Sequence, residues 1–128
     1  MIVETKEFSL NFLTQENAAL IHKLGHTSGA EVDKFKKFDL KTEKPLKIKS
    51  PILKGAFAAY ECKLFDFRSC GDHTIFIGEV VAIHTGKKDF ISNGLIRLDR
   101  TKPALYIGDD HYVTTDHKSI ISTKHIEV

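Results

Sequence analysis

Seven histidines, two cysteines and a crowd of lysines are the residues of this 128-residue chain best able to do chemistry. The histidines raise the question of a metal first. No HxH, HxxxH or HExxH ligand pair is expected, and no run of histidines comes with acids at ligand spacing, so no metal site is expected. Asp72-His73 and Asp116-His117 are adjacent pairs, which in a strand point to opposite faces. Nucleophilic catalysis has no better support: there is no GxSxG elbow, and no Ser or Cys has a histidine placed beside it by sequence. Cys62 and Cys70 fit neither CxxC nor a zinc pattern. They are expected as reduced thiols, Cys62 packed in a strand and Cys70 in a turn. Gly-rich phosphate loops of the GxGxxG and P-loop kinds are absent. Any reaction run by this chain therefore borrows its chemistry from a cofactor.

Two places remain as candidate binding residues. In Ser28-Gly29-Ala30-Glu31-Val32-Asp33-Lys34-Phe35, a hydroxyl and a glycine in a turn precede a lysine that opens a helix. Hydroxyl, backbone N–H and ammonium can together hold an anion. The second place is His73, which follows Gly71-Asp72 and starts an apolar strand. A strand-end imidazole can donate a hydrogen bond to a bound ring or its substrate. As alternatives, Ser-Gly is also an ordinary turn, and His73 can simply pair with Asp72 or a backbone carbonyl.

The elements that must position these residues follow from periodicity. Phe8, Leu10 and Phe12 alternate with Ser9 and Asn11, the period of a half-buried strand over residues 7–13. Thr14 can cap a helix with Glu16 in its first turn, packing through Ala18, Ile21 and Leu24 and stopping at Gly25. Val32, Phe35 and Phe38 fall three apart and suggest a second short helical piece. Residues 39–50 include Pro45 and read as a lysine-rich loop. Residues 55–65 form a strand with Glu61 and Lys63 on one side and Tyr60, Cys62 and Leu64 on the other. Residues 74–84 are apolar on both faces, which places them in the middle of a sheet or barrel. The polar stretch 66–72 joins these two strands as a long turn. Residues 90–98 are ambiguous between strand and loop. Residues 104–107 form a strand, and Gly108-Asp109-Asp110 turns it into residues 111–113. The order is strand, helix, loop and then strands, a barrel-like pattern rather than βαβ repeats.

Composition sets the outer limits. The chain reads as one domain over residues 1–128, with a polar tail over 114–128. Its hydrophobic content of 41% is that of a globular chain. No apolar run approaches the roughly 20 residues of a membrane span, and the charged N-terminus lacks a signal-peptide core, so a cytoplasmic location is expected. The net charge of +2 is too mild to imply a nucleic-acid protein. Between Asp33 and Lys54, however, eight lysines face three acids. That excess could attract a phosphate-bearing ligand, bind DNA non-specifically, or keep a sheet edge solvated.

The succession of segments resembles the flavin reductase-like family. It is carried by the Phe8-Ser9-Leu10-Asn11 strand, Ser28-Gly29 with Asp33-Lys34-Phe35, Glu61-Cys62, Gly71-Asp72-His73 with Phe76-Ile77-Gly78-Glu79-Val80, and Pro103-Ala104-Leu105-Tyr106. The resemblance implies a mainly β, FMN-binding split β-barrel with one or two short helices inserted. Family members have several strands before the segment like Phe8, so it also implies an N-terminally shortened barrel. By position, Asn11, Ser28, Gly29 and Lys34 would lie near FMN, Phe35 would support the loop, and His73 would face the flavin ring or the nicotinamide. NADH or NADPH would be the hydride donor, in a homodimer with a monooxygenase as one conceivable recipient of reduced flavin. The competing reading is a truncated split-barrel module that dimerises without bound flavin.

Overall fold

The computed structural model describes residues 1–86, 91–92, 95–119 and 121. Its centre is a three-stranded antiparallel sheet in the order β1-β4-β5, made of Glu7–Phe12 (β1), Ala58–Cys70 (β4) and His73–Thr85 (β5). The two-residue period of Phe8, Leu10 and Phe12 produces β1 as expected, and it pairs with residues 58–63 of β4 from Phe12↔Ala58 to Glu7↔Lys63. The ring of Phe8 then reaches beyond its partner strand to Gly78 on β5. A Cβ at Gly78 would stand 2.5 Å from Phe8 Cζ and 3.0 Å from Cys62 Cβ. The glycine in Phe76-Ile77-Gly78-Glu79-Val80 is thus the notch that receives an aromatic ring across the sheet.

The hairpin of β4 and β5 is longer and tighter than its sequence suggests. Residues 66–70, expected as turn, continue β4, and Cys70 is its exposed last residue rather than part of a turn. The turn is only Gly71-Asp72, closed by the Cys70↔His73 pair. Gly71 has φ 64°, the positive value that a two-residue hairpin turn demands at its first position. Strand pairing therefore overrode the polar composition of residues 66–72. Two register shifts, at Glu61/Cys62 and Leu64/Asp66, bend the hairpin where it leaves β1. Beyond Lys63 the hairpin continues as a two-stranded arm of seven residues on the β4 side, about 23 Å at ~3.3 Å per residue.

β5 was expected inside a sheet, yet among the described residues it is an edge strand and β4 is central. Apolar residues on both of its faces are correspondingly open: Ile75, Ile77, Val80 and Ile83 are exposed, as are Phe65 and Phe67 on β4. The buried apolar core lies at the other end of the sheet, in Ile48, Ile52, Phe57, Ala59 and Cys62.

Around this sheet the remaining elements are short. Helix α1 (Ile2–Thr5), unforeseen from the charged N-terminus, leads into β1. Thr14 precedes a 3-10 turn rather than capping the helix: its hydroxyl oxygen accepts from Asn17 Nδ2, and α2 begins at Ala18 and ends at Gly25. Ala18, Ile21 and Leu24 are half-buried on α2. Helix α3 is one turn, Lys34–Lys37. The presumed lysine-rich loop contains β2 (Thr42–Glu43), which pairs with β3 (Ile52–Leu53). Two further hairpins join β6 (Ile91–Ser92) to β7 (Leu95–Ile96), and β8 (Leu105–Gly108) to β9 (His111–Val113). Most of the expected 114–128 tail lies outside the described residues. Among the described residues no helix is long and apolar enough to cross a membrane.

Gly78→Ala places a methyl group against Phe8 and the backbone-proximal Cys62 Cβ. It is expected to destabilise the fold by about 1–3 kcal/mol, read as a lower urea midpoint at unchanged slope.

Candidate functional site

The Asp33-Lys34-Phe35 segment is built around a cap that its sequence did not reveal. The Asp33 carboxylate accepts from the N–H groups of Phe35 (3.0 Å) and Lys36 (3.3 Å), which fixes the start of α3. With α3 fixed, Lys34 turns back toward α2 and donates from Nζ to the Leu24 carbonyl at 2.7 Å. That carbonyl belongs to the C-terminal end of α2, where a cation is favoured. Gly29 sits over the lysine stem; a Cβ there would be 3.7 Å from Lys34 Cε. Ser28 Oγ accepts from Ala30 N–H at 3.2 Å, which leaves its hydroxyl proton available to donate.

These residues border an open cleft of ≈ 390 Å³ between α1, β1, α2 and the 50–53 segment. Lys34, Phe35, Ser9 and Asn11 line it, with Phe8, Leu24, Leu40 and Pro51 as apolar wall. Asn11 also holds the cleft together. Its Oδ1 accepts from Leu53 N–H at 2.8 Å, and its Nδ2 donates to Ser9 Oγ, which in turn donates to the Pro51 carbonyl. Three of the sequence candidates, Asn11, Lys34 and Phe35, therefore meet at one cleft; Gly29 packs on the stem of its lysine, and Ser28 does not line it.

His73 is elsewhere. It stands at the tip of the β4–β5 arm, 82% exposed, with Nδ1 2.5 Å from Asp72 Oδ1. The two side chains were expected on opposite faces, but Asp72 occupies the turn rather than the strand, so they meet. Asp116 and His117 meet likewise, at 3.4 Å.

Two further clusters escaped the sequence reading. Glu61 was placed with Lys63 on a polar side of β4, but its side chain is completely buried. Its carboxylate accepts from the backbone N–H groups of Leu46 (2.6 Å), Lys47 (2.6 Å) and Ile48 (3.0 Å), and from His84 Nε2 on β5. Burial alone would raise the pKa of this carboxyl. The N–H donors and His84 outweigh burial and hold it at about 2, against an ordinary value of 4.5. His84 also lines a second cleft with Ile52, Lys54, Gly55 and Gly86. The register, Ala59↔His84 and Glu61↔Ala82, sets the two side chains diagonally on paired strands, a relation that the sequence does not carry. The other cluster is His22, His26 and Asp110, whose donor atoms lie within 4.8 Å of one another. The two histidines stand four apart at the end of α2, a spacing that the expectation of no ligand cluster passed over.

The fold is that of the split-barrel flavin reductases. Flavoredoxin of Desulfovibrio vulgaris superposes with a TM-score of 0.82 at 20% identity, over 98% of this chain and 66% of its own. The FMN-binding protein of Thermus thermophilus, crystallised with p-hydroxybenzaldehyde, is 31% identical with a TM-score of 0.76, over 94% of this chain and 64% of its own. Residues 1–115 match the flavin reductase like domain, and the chain belongs to that family. Among curated relatives, an uncharacterized Aquifex aeolicus protein is 27% identical over 88% of this chain and 57% of its own length. An Archaeoglobus fulgidus protein is 34% identical over 67% of this chain and 49% of its own. The chain thus spans about half the length of the curated relatives it matches.

Glu61→Gln turns an amide NH₂ toward backbone N–H donors and is expected to cost about 3 kcal/mol or more. Because the folded carboxyl sits near 2 rather than 4.5, its stabilisation is complete above pH 4.5 and fades as pH falls toward 2. Urea unfolding across that acid range should show this loss in the native protein and a flatter profile in Glu61→Gln.

Proposed function

We propose that this chain holds FMN in the cleft at Lys34 and serves an oxidoreductase that moves hydride from NADH or NADPH to flavin or another acceptor. The observation that supports this most is the convergence of Asn11, Lys34 and Phe35 on one cleft, in a chain whose family and 31%-identical FMN-binding neighbour point to flavin. The cleft fits such a ligand. Its volume falls within the roughly 300–1,000 Å³ of small-molecule sites, its walls are mainly apolar, and its cation stands at one edge.

When bound, the flavin supplies the redox chemistry. The protein's own part is binding and orientation. The Lys34 ammonium has two protons left after Leu24 and can give them to phosphate oxygens, and the Ser28 hydroxyl keeps its own proton to donate. Phe35 offers an exposed ring face and Phe8 a second apolar wall. Asn11 keeps one amide proton and one lone pair after its structural bonds, enough to orient a polar edge.

His73 lies too far along the arm to share a ligand with Lys34 of the same chain. In this proposal it acts across a homodimer, with the arm of one copy reaching the cleft of another. The exposed Phe65, Ile75, Ile77, Val80 and Ile83 favour such an association. Held through Nδ1 by Asp72, the imidazole presents Nε2 to the flavin ring or the nicotinamide. Reduced flavin could pass on to a monooxygenase partner. Residues 1–128 work as one domain in this account, in the cytoplasm.

An absorbance spectrum with and without added FMN tests the proposal, together with NADH and NADPH oxidation. Flavin bands that co-elute with the protein are expected. Lys34→Ala should weaken FMN binding about tenfold or more, while His73→Ala should lower turnover about tenfold at nearly unchanged FMN affinity. Sedimentation should show a dimer. A dimeric, colourless protein that ignores FMN would instead establish the cofactor-free module.

A further inference from the structure

We infer that His22, His26 and Asp110 form a binding site for a borderline divalent cation of the Zn²⁺ class, clamping the end of α2 to the β8–β9 turn. His22 Nδ1 lies 3.3 Å and His26 Nε2 3.9 Å from the same oxygen, Oδ1 of Asp110. Ligand atoms around a tetrahedral Zn²⁺, at bond lengths of ~2.0–2.1 Å, stand ~3.3 Å apart. The two separations to Asp110 already match that spacing to within about 0.6 Å, and all three donor atoms lie within 4.8 Å of one another. Two neutral imidazoles and one carboxylate are the ligand types such cations select.

Proton placement carries the argument further than distance. His26 Nδ1 lies 3.0 Å from the His22 carbonyl oxygen, which can only accept, so this nitrogen bears the proton. In the neutral imidazole Nε2 then holds a lone pair, and that lone pair faces the Asp110 carboxylate. Two acceptors facing each other repel unless a cation lies between them. The hydrogen bond to a backbone carbonyl is also the outer contact that fixes tautomer and ring orientation in histidine metal sites. Asp110 is fixed as well: Asp109 and Asp110 both have positive φ, 47° and 56°, the signature of a type I′ turn. Neither side of the site needs to fold around the ion.

The alternative filling is a proton, giving an exposed histidine–aspartate ion pair of little energetic consequence. Zn²⁺ titration of the full chain without a polyhistidine tag, followed by calorimetry and thermal denaturation, separates the two. One equivalent should bind and raise Tm, and EDTA should reverse the rise. His26→Ala and Asp110→Asn should each weaken binding at least tenfold. His117→Ala and Cys70→Ser, which remove other exposed donors, should leave it unchanged. Histidine-ring NMR of the unmodified protein gives a reading independent of any variant: Zn²⁺ should shift the rings of His22 and His26 and leave His117 in place. Absence of Zn²⁺ binding, or equal affinity in His26→Ala and Asp110→Asn, would overturn the site.

Discussion

The carboxylate of Glu61 is the constraint on which the arrangement of this domain depends. It is a charge without solvent contact, and it is tolerated because four hydrogen bonds replace its water: three from successive backbone N–H groups and one from the His84 ring. Residues 46–48 follow Pro45 and have no periodicity to form a strand or helix. Their N–H groups still need acceptors, and the carboxylate is where they find them. One side chain on β4 therefore fixes the loop between β2 and β3, and through His84 it ties that loop to β5.

The consequence extends to the cleft at Lys34. Once residues 46–48 are held, the following chain passes beneath β1, where Ser9 donates to the Pro51 carbonyl and Asn11 accepts from Leu53 N–H. The floor of the cleft is thus set by polar contacts rather than by a large apolar core. Asp33 does the corresponding task on the opposite wall by ordering α3, so that Lys34 faces inward to Leu24. Each edge of the cleft ends in a satisfied hydrogen bond.

The hairpin arm follows another logic. Beyond Lys63 no third strand joins it among the described residues, and its apolar residues face solvent on both sides of the Gly71-Asp72 turn. Such an arm gains little from its own fold; its length and hydrophobicity make sense as surface for a second molecule. The same turn brings the Asp72 carboxylate onto Nδ1 of His73.

Local pattern alone determined much of this protein. The period of two in Phe8, Leu10 and Phe12 gave β1, the three-residue spacing of Val32, Phe35 and Phe38 gave α3, and the Gly-Asp-Asp turn gave β8 and β9. The ordered segments from Ser28 to Tyr106 were enough to indicate the family, because each is a short motif whose residues are neighbours in sequence. Tertiary structure decided what depends on residues far apart. It buried Glu61 against a loop fifteen residues upstream, extended β4 through a polar stretch by pairing it with β5, and left β5 at an edge despite its two apolar faces. It also separated His73 from Lys34, and joined His22 and His26 to an aspartate from another element. Hydrogen-bond partners and metal-ligand geometry are properties of distance in space, and spacing along a chain reports them only within a single helix or strand.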